Sequence, residues 1–166
     1  MNGLKISELD IGELGVNDWV PIERDNNSNY RISLKRAITG SVLDDYGTVR
    51  IGLNAATGVG NPNIIAIGSS AGQRVSGSDN IFIGENAGSG ITSGSFNTFI
   101  GDGVGSTVTS IDSSVLIGRN AGTATDPGNN CVLIGNNAKT SDVDNNSIVI
   151  GYNAIGAGAN TAVLGG

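Results

Sequence analysis

The sequence predicts an all-β chain, most of it a parallel β-solenoid of 16–17-residue coils preceded by a small hairpin-plus-short-helix module. Three observations carry this expectation. A short apolar phrase ending in Ile-Gly recurs from about residue 49 to the end. The composition is rich in glycine and poor in aromatics. The character of the chain changes abruptly near residue 45.

The repeat comes first, because a missed period spoils every later assignment. It reads IIAIG at 64–68, IFIG at 81–84, TFIG at 98–101, VLIG at 115–118 and 132–135, and IVIG at 148–151. A looser VRIG stands at 49–52 and AVLG at 162–165. The closing glycines are Gly52, Gly68, Gly84, Gly101, Gly118, Gly135, Gly151 and Gly165, spaced 16, 16, 17, 17, 17, 16 and 14 residues apart. A period near 16 is too short for two helices and suits one solenoid coil. Coils stacked at about 4.8 Å would give a rod of roughly 34 Å over seven steps. A sharp corner at a constant place in each coil accounts for the glycine, which accepts positive φ without penalty.

Other columns recur with it. Two residues after the glycine stands Asn54, Asn86, Asn120, Asn137 or Asn153, with Ser70 and Gly103 as exceptions. Stacked Asn side chains could bond along the rod axis. Next comes Ala55, Ala71, Ala87, Ala121, Ala138 or Ala154, with Val104 once, and then often Gly72, Gly88, Gly105 or Gly122. Val59, Val75, Ile91 and Val108, seven after the glycine, suggest a second short strand in each coil. Polar stretches such as GSDN, TDPGNN and SDVDNN supply the turns.

The recurring strand is apolar on both faces, the pattern of a strand buried on both sides. The expected coil core is Ile67, Ile83, Ile100, Ile117, Ile134 and Ile150. The residues between the outer pair, Ala66, Phe82, Phe99, Leu116, Leu133 and Val149, are then expected to meet another copy of the chain, since soluble monomers rarely expose so long an apolar stripe.

In front of the rod, WVPIER and YRIS alternate apolar and polar residues around DNNSN, a hairpin signature. Ser33 can cap a brief helix from Leu34 to Ile38 that ends at Gly40. The expected organisation is a module at 1–40, a linker at 41–48 and the solenoid at 49–166. Six of the nine basic residues lie at or before Arg50, beside eight acids, so the module is of mixed charge.

The bulk numbers exclude several classes of function. Glycine is 27 of 166 residues, aromatics are 4% and charged residues 14%, where about a quarter is ordinary. The net charge is −6, and beyond residue 83 the only bases are Arg119 and Lys139, which speaks against nucleic acid as a partner. Histidine is absent and Cys131 is the single cysteine, so no metal site or cofactor is expected. Cys131 stands where other coils have Ser or Thr and is expected as a buried small residue. MNGLKISELD lacks an apolar signal core and no run of about 18 apolar residues occurs, so neither Sec export nor membrane insertion is expected. Asp102, Asp112, Asp126, Asp142 and Asp144 fall in loops, but no sugar-stacking aromatic platform accompanies them. Asp142-Val-Asp144-Asn145 lacks the glycine and distal Glu of a calcium loop. No catalytic residue is expected, and the chain is not expected to be an enzyme.

NNSIVIGYNAIG at 145–156 and NNCVLIGNNAK at 129–139 resemble the head repeat of trimeric autotransporter adhesins, the YadA-like head. NTFIGDGVG at 97–105 and NIFIGENAG at 80–88 are similar to stretches of phage tail-fibre and tail-spike proteins. These resemblances span residues 47 to 166 and imply a homotrimer of left-handed β-rolls. The coils here are slightly longer than the commonest adhesin coil. KISEL at 5–9, DWVPI at 18–22 and YRISL at 30–34 resemble the N-terminal segment of phage tail proteins. That likeness implies docking to a tail, baseplate or capsid protein, with Trp19, Pro21 and Tyr30 as candidate docking residues. The expected function is a structural virion component, a tail-fibre or spike subunit made in the host cytoplasm. It would attach by its N-terminus and project a rod toward a host surface glycan or protein. The alternatives are a bacterial surface adhesin and the fibre of a contractile injection system. The strand at 162–165 would leave an open edge, so a longer fibre or another protein is expected to continue the stack.

Overall fold

In the computed structural model of the chain, residues 47–58, 63–123 and 126–165 are described in full, and 19–23 and 29–33 by their backbone. The chain divides into two compact units, Met1–Leu43 and Asp44–Gly166. In the first, β1 (Trp19–Glu23) pairs antiparallel with β2 (Asn29–Ser33), from Trp19 opposite Ser33 to Glu23 opposite Asn29. The expected helix at 34–38 and most of the expected linker lie outside the described residues.

The second unit is a parallel β-solenoid of about seven turns. Each turn contributes one three-residue strand: β3 (Val49–Ile51), β4 (Ile65–Ile67), β5 (Ile81–Ile83), β6 (Thr98–Ile100), β7 (Val115–Ile117), β8 (Val132–Ile134), β9 (Ile148–Ile150) and β10 (Ala162–Leu164). The eight strands form one parallel sheet in sequence order, each paired only with the coil before and the coil after. Register is constant, first residue to first and last to last, at every step. Strands this short gain their stability from stacking, as in any repeat array whose units contact only their neighbours. The ladder also runs past the strand ends. Val49 N–H donates to Ile64 O at 2.7 Å, and Gly68 N–H to Ile51 O at 2.7 Å.

The two faces of the sheet are exchanged relative to the sequence expectation. Ala66, Phe82, Phe99, Leu116, Leu133 and Val149 are fully buried and fill the lumen of their own coils. Ile67, Ile83, Ile117, Ile134 and Ile150 are only half-buried and Ile100 is 36% exposed, so this column points outward instead of forming the coil core. A three-residue strand between two corners turns only its middle residue inward, because side chains alternate. The lumen residue is matched in size to the corner beyond it. A Cβ on Gly72 or Gly88 would stand 2.5 and 2.3 Å from atoms of the Phe82 ring, and one on Gly105 2.2 Å from Phe99. Glycine at this position is therefore the space into which the large lumen residues fit.

No second strand forms on the far side of the coils among the described residues. Val75, Ile91 and Val108 are buried there, as lumen residues, but the pairing is reduced to single bridges between Ser93 and Ser110 and between Lys139 and Ile155. Val59 lies outside the described residues.

Candidate functional site

The first and third residues of the eight strands face outward and make two parallel columns along the rod. One is Val49, Ile65, Ile81, Thr98, Val115, Val132, Ile148 and Ala162. The other is Ile51, Ile67, Ile83, Ile100, Ile117, Ile134, Ile150 and Leu164. Thr98 is the one polar residue in this face. At about 4.8 Å between rows and about 6.6 Å between columns, the eight rows cover roughly 250 Å², close to the few hundred Å² at which a contiguous apolar patch on a soluble protein marks an interaction surface. Ile51, Ile100, Ile148, Ala162 and Leu164 are its exposed members.

On one side the strip ends at the glycine column. Gly118 holds φ 126°, and a Cβ there would stand 2.5 Å from the Gly135 carbonyl oxygen of the next coil. Gly52, Gly68, Gly84, Gly101, Gly135, Gly151 and Gly165 share the positive φ. The corner therefore needs glycine twice, once for its own conformation and once for the close approach of its neighbour. The residue two further on is left-handed in every described coil: Asn54, Ser70, Asn86, Asn120, Asn137 and Asn153 have φ between 52° and 58°, and Gly103 has 63°. Asparagine is favoured there chiefly because it tolerates this conformation. A side-chain rung joins one pair, Asn137 Nδ2 donating to Asn153 Oδ1 at 3.0 Å.

On the other side the strip ends at a polar corner of three residues that sequence reasoning took only for turn composition. The outermost takes a backbone N–H from the preceding coil. Ser95 N–H donates to Asp112 Oδ1 at 2.8 Å, Asp112 N–H to Asn129 Oδ1 at 2.9 Å, and Asn129 N–H to Asn145 Oδ1 at 2.8 Å. The innermost is buried and accepts from the following coil. Asn97 N–H donates to Asn80 Oδ1 at 3.0 Å, Ser114 N–H to Asn97 Oδ1 at 3.0 Å, and Cys131 N–H to Ser114 Oγ at 3.0 Å. Side-chain acceptors thus satisfy main-chain donors that leave the sheet at the corner. The recurrence of Asn, Asp and Ser at fixed offsets ahead of each strand was the available signal.

The middle residue of that corner is left-handed in every described coil. It is Gly47 ahead of β3 and then Asn63, Asp79, Ser113, Asn130, Asn146 or Asn160, all small or short and polar, except in the coil of β6, where it is Phe96 at φ 63°. A bulky side chain in this region costs on the order of 1–2 kcal/mol. Phe96 is also 66% exposed.

Three of the loop carboxylates, those of Asp112, Asp142 and Asp144, accept backbone hydrogen bonds. Asp112 accepts from Ser95 as above, and Asp142 Oδ1 accepts from the Val143 N–H at 2.9 Å. Asp144 Oδ2 accepts from the Ser141 hydroxyl at 2.8 Å and the Ser141 N–H at 3.0 Å. These bonds, the hydroxyl first, hold the Asp144 carboxyl below its ordinary pKa against the opposing effect of burial. Among the described residues no group of three His, Cys, Asp or Glu could hold a metal ion. Cys131 is buried as expected of its position, but in a polar column: its Sγ lies 2.9 Å from Asp144 O, and the Ser147 hydroxyl lies 3.5 Å from Sγ. Trp19 and Pro21 lie on β1 and Tyr30 on β2, in the first of the two units. Among the described residues no helix is long and apolar enough to cross a membrane.

Fold and face together define a β-solenoid rod with a lengthwise apolar strip between a glycine corner and a polar corner. No protein-family model matches the chain, and no curated protein or solved structure matches it.

Proposed function

We propose that the chain is a structural fibre subunit, a left-handed solenoid that associates in threes along its apolar strip and serves as part of a virion tail fibre or spike. The observation that carries this reading is the two-column strip, regular over eight rows and apolar at all but one position. A partner built on the same repeat presents matching rows at the same spacing, so a second copy of this chain is the occupant that fits without loss of register. The resemblance of NNSIVIGYNAIG and its sister coils to trimeric adhesin heads supports three copies around one axis. Residues 1–40 are assigned to attachment, on the likeness of their KISEL, DWVPI and YRISL stretches to phage tail segments and on their mixed charge. The rod then supplies distance from the particle and contact with a host surface, with no chemistry of its own.

Sedimentation equilibrium tests the assembly. The expected mass is three times the 16.7 kDa of the chain. A soluble monomer at micromolar concentration overturns the reading. Attachment has a separate test: a chain lacking residues 1–40 is expected to assemble but not to enter particles, and normal incorporation would refute that role.

A further inference from the structure

Three such strips total roughly 750 Å², which falls short of the lower bound for a stable specific interface. Residues at the border of the strip must therefore add contact if three copies are to hold together. Phe96 stands at that border, two positions before Thr98, where the strip has its one polar member. It occupies a left-handed position that every other described coil fills with Asn, Asp, Ser or, before β3, Gly47, and its ring is largely exposed. Both its backbone conformation and its hydration disfavour phenylalanine in the isolated chain, and an Asn at the same place would remove both penalties.

We propose that Phe96 is an assembly residue whose ring packs onto the apolar strip of a neighbouring copy of this chain, beside the row that contains Thr98 and Ile100. The inference rests on the homotrimer reading above. Parallel copies around one axis bring equal rows to equal heights, so the polar-corner border of one copy faces the strip of the next. The coil of β6 lies midway along the eight rows, where a contact is shielded from the ends. A buried aromatic anchor near the centre of an interface is the usual carrier of binding energy.

The test is a dilution series followed by sedimentation for the full chain and for Phe96→Asn and Phe96→Tyr. Phe96→Asn is expected to keep the parent's far-ultraviolet circular dichroism but to dissociate at a protein concentration at least tenfold higher. Phe96→Tyr is expected to assemble as the parent does. If the parent is trimeric and Phe96→Asn assembles as tightly, this inference falls and the trimer stands; a monomeric parent overturns both. Should Phe96→Asn fail to fold, a photoreactive benzoylphenylalanine at position 96 decides the matter. Covalent dimers and trimers on a denaturing gel are expected, and monomer bands alone overturn the proposal.

Discussion

The Phe82 ring meets the Phe99 ring edge to face inside the lumen, with centroids 5.7 Å apart and planes at 88°. This is a favoured arrangement for aromatic pairs, and the glycines that flank the rings make it possible. Phe99→Ala should cost about 3–5 kcal/mol, the usual range for deleting a buried aromatic ring. Gly88→Ala should also destabilise, since its Cβ would stand 2.3 Å from Phe82 Cε1 at a φ of 61°. Combining Gly88→Ala with Phe82→Ala should cost less than the two changes separately, because the clash then disappears. Chemical denaturation of the four variants measures this, and simple additivity would contradict the lumen geometry.

Neighbouring residues on one strand should respond in opposite ways to the same change. Leu116 is fully buried in the lumen, so Leu116→Asp places an unpaired carboxylate inside the coil and should abolish folding. Ile117 faces outward, so Ile117→Asp should leave circular dichroism intact and shift sedimentation toward the monomer. A folded Leu116→Asp protein would show that the inward face is wrongly assigned.

Gly118→Val should lower the melting temperature far more than a surface change does. The β-branched side chain meets both a positive φ and the Gly135 carbonyl oxygen. Gly118→Ala should be harmful too, because the overlap begins at Cβ. A melting temperature within a degree of the parent for Gly118→Ala would exclude the close coil contact.

Asp144 should make part of the stability acid-labile. Its folded pKa lies below the ordinary 3.8, so its contribution is fully present above that value and is lost as the pH falls through the lower folded value. The parent should be more stable than Asp144→Asn at pH 5 to 7, and the gap should close in stronger acid. Thermal melts across that range read the difference directly.

Cys131 is 1% exposed, so its thiol should resist a water-soluble disulfide reagent in the native chain and react fully once denatured. Cys131→Ser should fold, since Ser114 and Ser147 occupy the same buried column in adjacent coils. Rapid native labelling would mean that this column opens to solvent.

Most of the rod was legible in one dimension. The Ile-Gly spacing located every strand from β3 to β10, because a corner that demands glycine must recur wherever the chain turns. The sizes in the strand columns also held a clue to direction. Ala66, Phe82, Leu116 and Val149 vary widely because each is fitted to its own coil, whereas the flanking Ile and Val columns stay uniform along the outer sheet. That clue becomes readable only once Gly72, Gly88, Gly105 and Gly122 are seen to lie against the lumen side chains of Phe82, Phe99 and Leu116.

What the sequence determined by itself was therefore the period, the sheet order and the places of the corners, all properties of a chain read against its own repeat. What only the tertiary structure decided was which face closes on itself and which remains outside. A strand apolar on both sides satisfies either arrangement locally. The choice is made by whether Phe82 and Phe99 fit within the loop that the rest of each coil encloses. On the far side of the coils the expected second strand is reduced to isolated bridges. The same enclosure leaves Phe96 outside, at a position whose backbone favours asparagine.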